Sequence, residues 1–262
     1  MQERHLDRRR YFEELAQTSK KYYIPYLKDF FPEISDSQHK LSILEIGCGE
    51  GGTLVPFAEI GHEVVGVDLA ENKIKNARLY FEEKGLEGQF ISSDIFEIES
   101  FEGKFDIILI HDVIEHIHDK VEFLKKSKKF LAKNGIIFIG FPVWRMPFGG
   151  HQQISSNKII SHIPYLHLLP KGLYRYIISH SGDKQRVIND LLDIKETGIN
   201  MGKFKKLIIQ SGYKTLASQA WLINPHYEIK FHLKPLKLHP ILSSIPCISN
   251  FITTSYWWIG RL

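Results

Sequence analysis

The stretch LEIGCGEGG, from Leu44 to Gly52, decides the fold of this chain, together with Asp68 in VVGVDLA. An apolar run that ends at Ile46 leads into the glycine-rich turn, and a helix-compatible segment follows. A second apolar run, Val64 to Val67, ends at the carboxylate of Asp68. Glycines let a ligand approach the backbone closely, and a carboxylate after the next strand can accept hydrogen bonds from a ribose. The pattern therefore predicts a site for a nucleoside-bearing cofactor.

The glycines fit two cofactor motifs. The dinucleotide fingerprint G-x-G-x-x-G is satisfied by Gly47, Gly49 and Gly52, with Asp68 near the expected distance of about 20 residues. The pattern E-x-G-x-G-x-G is satisfied equally by Glu45, Gly47, Gly49 and Gly51. In this second motif the chain resembles class I S-adenosylmethionine-dependent methyltransferases. We favour that family over an NAD-type oxidoreductase, and a binding protein without turnover stays open as a third interpretation.

The resemblance continues through about residues 41–142. Asp94 in FISSDIF follows a third apolar run, at the place where that family has an acid on the adenine amino group. FDIILIHDVIEHI, from Phe105 to Ile117, is similar to the family's fourth strand and the loop after it. LAKNGIIFIGFP, from Leu131 to Pro142, is similar to its helix end, turn and fifth strand.

Alternating strand and helix patterns predict a parallel α/β sheet with ligands at the carboxyl ends of the strands. We expect helices near 53–60, 71–84 and 119–133, and strands near 42–46, 63–67, 89–92, 105–110 and 136–141. The resemblance implies a Rossmann-like, doubly wound, mainly parallel sheet of seven strands. Four regions are expected: an N-terminal helical segment 1–40, a cofactor-binding core 41–142, a helical lid 143–200 between strands 5 and 6, and a C-terminal completion of the sheet 201–262.

The resemblance also implies roles for residues of the core. Cofactor contacts are expected at Glu45, Gly47, Cys48, Gly49, Gly51, Asp68, Leu69, Asp94, Ile95 and His111. Asp68 would hold the ribose hydroxyls, Leu69 and Ile95 would flank the adenine, and His111 would lie against the methionyl part. Two structural alternatives stay open, because an acid at Asp68 can cap a helix and an acid at Asp94 can cap a turn.

The segment Asp112 to His116 reads D-x-x-E-H, which resembles E-x-x-E-H in two metal-dependent groups: ubiquinone-pathway O-methyltransferases and small-RNA 2′-O-methyltransferases. The resemblance implies a divalent ion, such as Mg²⁺, held by Asp112, Glu115 and His116, with His151 of FGGHQQ as a further ligand. Metal-free members carry a similar segment that only shapes the loop. Without metal, His116 or His151 could serve as general base.

Bulk composition restricts the function further. The chain has 262 residues, a net charge of +4 and 43% hydrophobic residues, which suits one domain with an elaboration and indicates no nucleic-acid partner. The two cysteines, Cys48 and Cys247, and a charged N-terminus favour a reducing cytoplasm. The resemblance to the methyltransferase family implies a methyl acceptor, which we expect to be a small molecule methylated at oxygen or nitrogen.

The segment 240–260 carries no charged side chain. Pro246, Asn250 and several hydroxyl residues interrupt it, which favours a turn and a final buried strand over a spanning helix. Peripheral contact with a membrane or with a glycan- or lipid-linked acceptor stays open as a second interpretation.

Overall fold

The computed structural model describes residues 7–262, so the first six residues of the expected N-terminal segment lie outside the described part. The described chain contains a central sheet, whose strands are β1 Ser42–Ile46, β2 Glu63–Asp68, β3 Gln89–Ser92, β4 Phe105–His111, β5 Leu131–Phe141, β6 Lys214–Ile223, β7 Leu236–Lys237 and β8 Ser255–Arg261. Their order across the sheet is β3-β2-β1-β4-β5-β8-β6-β7.

The first five strands are parallel, and β8 runs antiparallel to its two neighbours, β5 and β6, so that β6 has the same direction as the first five strands. Strands β1, β4 and β5 are apolar along most of their length because side chains on both faces are covered by helices. The expected Rossmann-like α/β fold is confirmed. The structure adds one strand to the expected seven, since the two-residue β7 pairs with the edge of β6.

Helices cover both faces of the sheet. Their bounds are α1 Arg8–Thr18, α2 Ile24–Lys28, α3 Val55–Ile60, α4 Glu71–Glu83, α5 Lys120–Phe130, α6 Lys171–Ser179, α7 Gln185–Thr197, α8 Met201–Gln210, α9 His226–Phe231, α10 Pro240–Ser243 and α11 Pro246–Ile252. A π-helical turn, Ser19–Tyr23, joins α1 to α2. These N-terminal helices bury Phe12, Tyr23 and Leu27 against one face, whereas α5 and α8 contribute to the core of the other face.

One boundary in the core differs from the expectation. The helix expected near 119–133 starts as predicted, because the Asp119 carboxylate accepts a 2.9 Å hydrogen bond from the N–H of Glu122. It ends at Phe130, and β5 begins at once with Leu131 paired to Phe105. A register shift before Ile107 then accommodates the early start of β5.

The region expected as a lid, residues 143–200, contains α6, α7 and several single 3₁₀ turns. It has a small core of its own, made by Ile160, Leu166, Tyr174, Ile178, Ile188 and Leu191. A closing motion of this region over the site is a proposal, which its separate core supports.

The C-terminal segment is divided between surface and core. Tyr256, Trp257, Trp258 and Ile259 are buried in β8 between β5 and β6. Exposed apolar side chains in this segment are instead those of Ile241, Leu242 and Ile248, on α10 and α11. Within residues 7–262 we find no helix with the length and apolar character that crossing a membrane requires.

Candidate functional site

The glycine turn lies at the carboxyl end of β1. Gly47, Gly49 and Gly51 all have positive φ, at 77°, 54° and 80°. A Cβ at Gly47 would lie 2.3 Å from Val113 Cγ2, and one at Gly51 would lie 2.7 Å from a ring carbon of Phe90. A Cβ at Gly49 would meet only the far end of Lys73, at 4.0 Å. Two of these glycines are therefore required by packing, whereas Gly49 faces open space that a ligand can occupy.

The Asp68 carboxylate braces this turn. One oxygen accepts a 2.9 Å hydrogen bond from the N–H of Gly49, and the other accepts a 2.8 Å bond from the N–H of Ala70. Lys73 Nζ lies 3.8 Å away. Asp68 is not the N-cap of α4, since that position is Ala70. Each carboxylate oxygen retains a lone pair, so the arrangement is compatible with hydrogen bonds from ribose hydroxyls.

Glu45 lies beneath the turn and is 3% exposed. Burial raises the pKa of its carboxyl to about 8, although a hydrogen bond with Thr53 opposes the shift. Its Oε2 has no hydrogen-bond partner among the described residues. A buried carboxyl with a free oxygen next to an open glycine turn is suited to receive a donor group from a ligand.

An exposed apolar side chain follows the end of β2, and another follows the end of β3. Leu69 is 75% exposed, whereas Ile95 is buried and belongs to the core below. Phe96, next to Ile95, is exposed and was not among the expected contacts. Asp94 accepts a 3.0 Å hydrogen bond from the N–H of Phe96, which is the turn-capping alternative left open above. Its other oxygen has no hydrogen bond within the described chain.

His111 ends β4, with its ring packed between Gly140 and Tyr23. A Cβ on Gly140 would lie 2.6 Å from the His111 ring, and the Tyr23 ring centroid lies 5.2 Å away. His111 Nδ1 is 3.4 Å from the Asp112 carboxylate, and its Nε2 is buried without a partner in residues 7–262. Asp112 itself has φ of 53°, a strained value for a residue other than glycine that is common at functional sites.

Glu115, His116 and His151 form a compact group at this edge of the sheet. One ligand atom from each lies within 4.8 Å of the others. Glu115 Oε1 is 3.9 Å from His116 Nε2 and 4.0 Å from His151 Nε2. Asp112, expected in the same metal set, lies outside this group.

The Glu115 carboxyl in this group is 2% exposed, and neither oxygen has a hydrogen-bond partner among the described side chains. Burial, and then the charge of Asp112, raise its pKa well above the usual range. Burial lowers the pKa of His151 to about 4, and His116 adds to that shift. A divalent cation would stabilise the deprotonated form of this buried carboxyl, which faces two neutral imidazoles.

A cavity of about 200 Å³ opens beside this group at the carboxyl ends of β4, β5 and β6. Its walls include Tyr11, Asp112, Phe148, His151, His226 and Tyr227. The sequence interpretation did not include Tyr11, His226 and Tyr227 in the site. No local motif marks them, because they come from α1 and α9, at opposite ends of the chain.

Comparisons with known proteins identify relatives of this chain. Residues 37–165 match the family model described as a methyltransferase domain. The chain is 36% identical over 115 residues to the ubiquinone biosynthesis O-methyltransferase of Pelagibacter ubique, covering 43% of this chain and 47% of that one. It is 26% identical over 212 residues to the enzyme of the same name from Rickettsia canadensis, covering 81% of each. The matched region is thus only about half the length of the Pelagibacter protein.

Among solved structures, an S-adenosylmethionine-dependent methyltransferase from Mesorhizobium loti superposes with a TM-score of 0.55 and 14% identity. The superposition covers 91% of this chain and 96% of that one, and at this identity it supports the fold alone. Together with the glycine turn, the match assigns residues 37–165 to the methyltransferase-domain family, on a class I, Rossmann-like fold.

Proposed function

We propose that this chain transfers a methyl group from S-adenosylmethionine to an oxygen or nitrogen atom of a small molecule. The observation that carries the proposal is the open space at Gly49, whose N–H donates a hydrogen bond to Asp68. Gly49 also belongs to the glycine motif that resembles the family's. The residues fit such a cofactor: an open turn for the backbone approach, a carboxylate with free lone pairs, and the exposed side chain of Leu69.

Bound S-adenosylmethionine supplies a methyl group activated by a positively charged sulfur. The protein then has to align the acceptor, and it needs a base only where the acceptor atom loses a proton. Where the site holds no metal ion, the neutral imidazole of His151 in the cavity wall can accept a hydrogen bond or a proton. His116, with its ring 5.2 Å from that of His151, is the second candidate.

Titration calorimetry with S-adenosylhomocysteine and NADH tests the cofactor assignment. Micromolar binding of S-adenosylhomocysteine alone is the expected result. Binding of NADH alone would instead favour the oxidoreductase interpretation of the same glycine turn. If neither compound bound, the proposed activity would be wrong.

A divalent ion is the second part of the proposal. Glu115, His116 and His151 would hold it. Asp112, whose charge acts on Glu115 and His151, would contribute through a water molecule. One buried carboxylate and two neutral imidazoles suit a transition ion such as Mn²⁺, whereas Mg²⁺ would need water oxygens at its remaining positions. Such an ion supplies positive charge that polarises a hydroxyl acceptor.

Contact with a membrane surface stays a proposal for the segment 240–260. The buried aromatic residues of β8 are unavailable for it, so contact would have to use Ile241, Leu242 and Ile248. Co-sedimentation with anionic vesicles, compared between the wild-type protein and an Ile241→Ser variant, tests this. Equal sedimentation of both proteins would exclude Ile241 from the contact.

A further inference from the structure

His226 is the first residue of α9 and lies in the wall of the same cavity as His151. Its Nδ1 is 2.9 Å from Thr18 Oγ1, a hydroxyl at the end of α1 that is completely buried. The two residues are 208 positions apart in the chain. The contact therefore ties the N-terminal helix to the segment after β6, at the edge of the cavity.

Thr18 has only one hydroxyl proton, and its second contact determines where that proton lies. Thr18 Oγ1 donates a 2.8 Å hydrogen bond to the carbonyl oxygen of Glu14. If the proton were directed to His226 instead, a lone pair of Thr18 Oγ1 would face a lone pair of the Glu14 carbonyl oxygen at 2.8 Å. Both contacts are satisfied only when Thr18 donates to Glu14 and accepts from His226 Nδ1–H.

His226 is also uncharged. Burial lowers its pKa to about 4, and His111 and Lys230 add to the shift while Asp112 and Glu14 oppose it. A neutral imidazole carries one proton, and the hydrogen bond to Thr18 places that proton on Nδ1. Nε2 is then an unprotonated acceptor, and within the described chain no hydrogen bond reaches it.

We propose that His226 Nε2 is the fixed hydrogen-bond acceptor that selects and orients the methyl acceptor in this cavity. This proposal rests on the proposed function and narrows the class of molecule that can be the methyl acceptor. The reacting atom, or a group next to it, carries a proton that it donates, as in a hydroxyl or an amine. The aromatic residues Tyr11, Phe148 and Tyr227 line this cavity of about 200 Å³ and favour a planar molecule in it.

His226 is a positioning residue in this proposal, with Thr18 acting through it. A substrate proton hydrogen-bonded to Nε2 turns an oxygen or nitrogen lone pair toward the methyl donor. A substrate group that carries only lone pairs, such as an ether or a carboxylate, would face the lone pair of His226 Nε2 and be rejected. The selectivity is therefore set by proton placement along the series Glu14, Thr18, His226.

The tautomer can be measured without knowing the substrate. Long-range ¹H–¹⁵N correlation spectra of the labelled full chain at pH 7 distinguish the two neutral tautomers, and a His226→Gln variant assigns the signals. We expect the Nδ1–H form in the wild-type protein and in Thr18→Ser. Thr18→Val, which removes the acceptor oxygen, should lose this preference. An Nε2–H or doubly protonated imidazole in the wild-type protein would overturn the proposal.

Phenol and anisole serve as matched probes, since they share a ring but only phenol has a hydroxyl proton. Titrated into the labelled protein, phenol should shift the His226 Nε2 signal and bind about fivefold more tightly than anisole. In His226→Gln the difference between the probes should shrink. Equal binding of the two probes to the wild-type protein would contradict the proposal. None of these measurements requires S-adenosylhomocysteine to bind, so failure of the proposed function is detected separately by calorimetry.

Discussion

The N–H of Gly49 donates a 2.9 Å hydrogen bond to the carboxylate of Asp68, which joins the turn after β1 to the end of β2. Asp68 thereby fixes the conformation of the turn and also offers lone pairs to a ligand. The two roles are compatible, because a carboxylate oxygen accepts more than one hydrogen bond. Replacing Asp68 should consequently affect both the shape of the turn and its affinity for a ligand.

Asp68→Ala should weaken the binding of S-adenosylhomocysteine by about 1–3 kcal/mol, the scale of a lost hydrogen bond to a charged group. Calorimetry on the folded variant measures this loss. Glu71→Ala is a matched control, since it removes an exposed carboxylate three positions away whose partner is Lys75. Unchanged affinity in Asp68→Ala would refute the ribose assignment.

Gly49→Ala and Gly51→Ala should separate a ligand role from a packing role. Both positions have positive φ, but only the Cβ at Gly51 collides with Phe90. Gly51→Ala should therefore cost about 2–4 kcal/mol of unfolding free energy, from backbone strain and overpacking together. Gly49→Ala should cost about 1–2 kcal/mol in stability, yet lower S-adenosylhomocysteine affinity by about tenfold or more.

Urea denaturation and calorimetry measure the two effects of these glycine variants. If Gly49→Ala bound the ligand as tightly as the wild-type protein does, the open space above the turn would not be a ligand site. If Gly51→Ala were as stable as the wild-type protein, the packing against Phe90 would not constrain the turn.

Glu115→Gln should abolish binding of Mn²⁺ or Mg²⁺, because it removes the buried carboxylate of the three-residue group. The raised pKa of Glu115 means that a cation competes with a proton, so metal affinity should fall as the pH is lowered. Calorimetric titration of the metal at several pH values measures both effects. Glu122→Gln, on α5 outside this group, serves as the control.

Activity gives a second readout of the metal proposal once an acceptor is known. Turnover should then be lost in EDTA and recovered with Mg²⁺. Full turnover in EDTA, combined with no heat of metal binding, would mean that the group shapes the loop without holding an ion.

Glu45→Gln should change the pH dependence of stability. The folded pKa of about 8 lies above the unfolded value of about 4.3, so the folded state retains a proton that the unfolded state has lost. The stability that this proton on Glu45 contributes is complete below the unfolded pKa. It is lost as the pH rises to about 8, at no more than about 1.4 kcal/mol per pH unit. The variant should therefore lose less stability than the wild-type protein between pH 5.5 and pH 8.

Urea denaturation at these two pH values makes the comparison. His151, His167 and His226 have lowered pKa values and produce the opposite trend below about pH 6.5, but they are present in both proteins and cancel in the difference. Glu63→Gln, an exposed carboxylate at the start of β2, should behave like the wild-type protein. Parallel curves for Glu45→Gln and the wild-type protein would show that the Glu45 carboxyl is not protonated.

The core elements could be predicted because their signals are local. Apolar runs marked β1, β2 and β4, the Asp119 side chain marked the start of α5, and glycines marked the turn after β1. The early start of β5 could not be predicted, since it depends on pairing between Leu131 and Phe105. The short β7 was missed for the same reason, because two residues show no periodicity and need the edge of β6 as a partner.

The sequence by itself determined the family motif, the parallel α/β core and the spacing between the glycine turn and Asp68, because each depends on residues close together in the chain. Only the tertiary structure decided which side chains share the site. It buries Ile95 and exposes Phe96, leaves Asp112 outside the group of Glu115, His116 and His151, and places His226 against Thr18. Such contacts depend on how distant elements pack, and a hydrogen bond across 208 residues leaves no periodic trace in the chain.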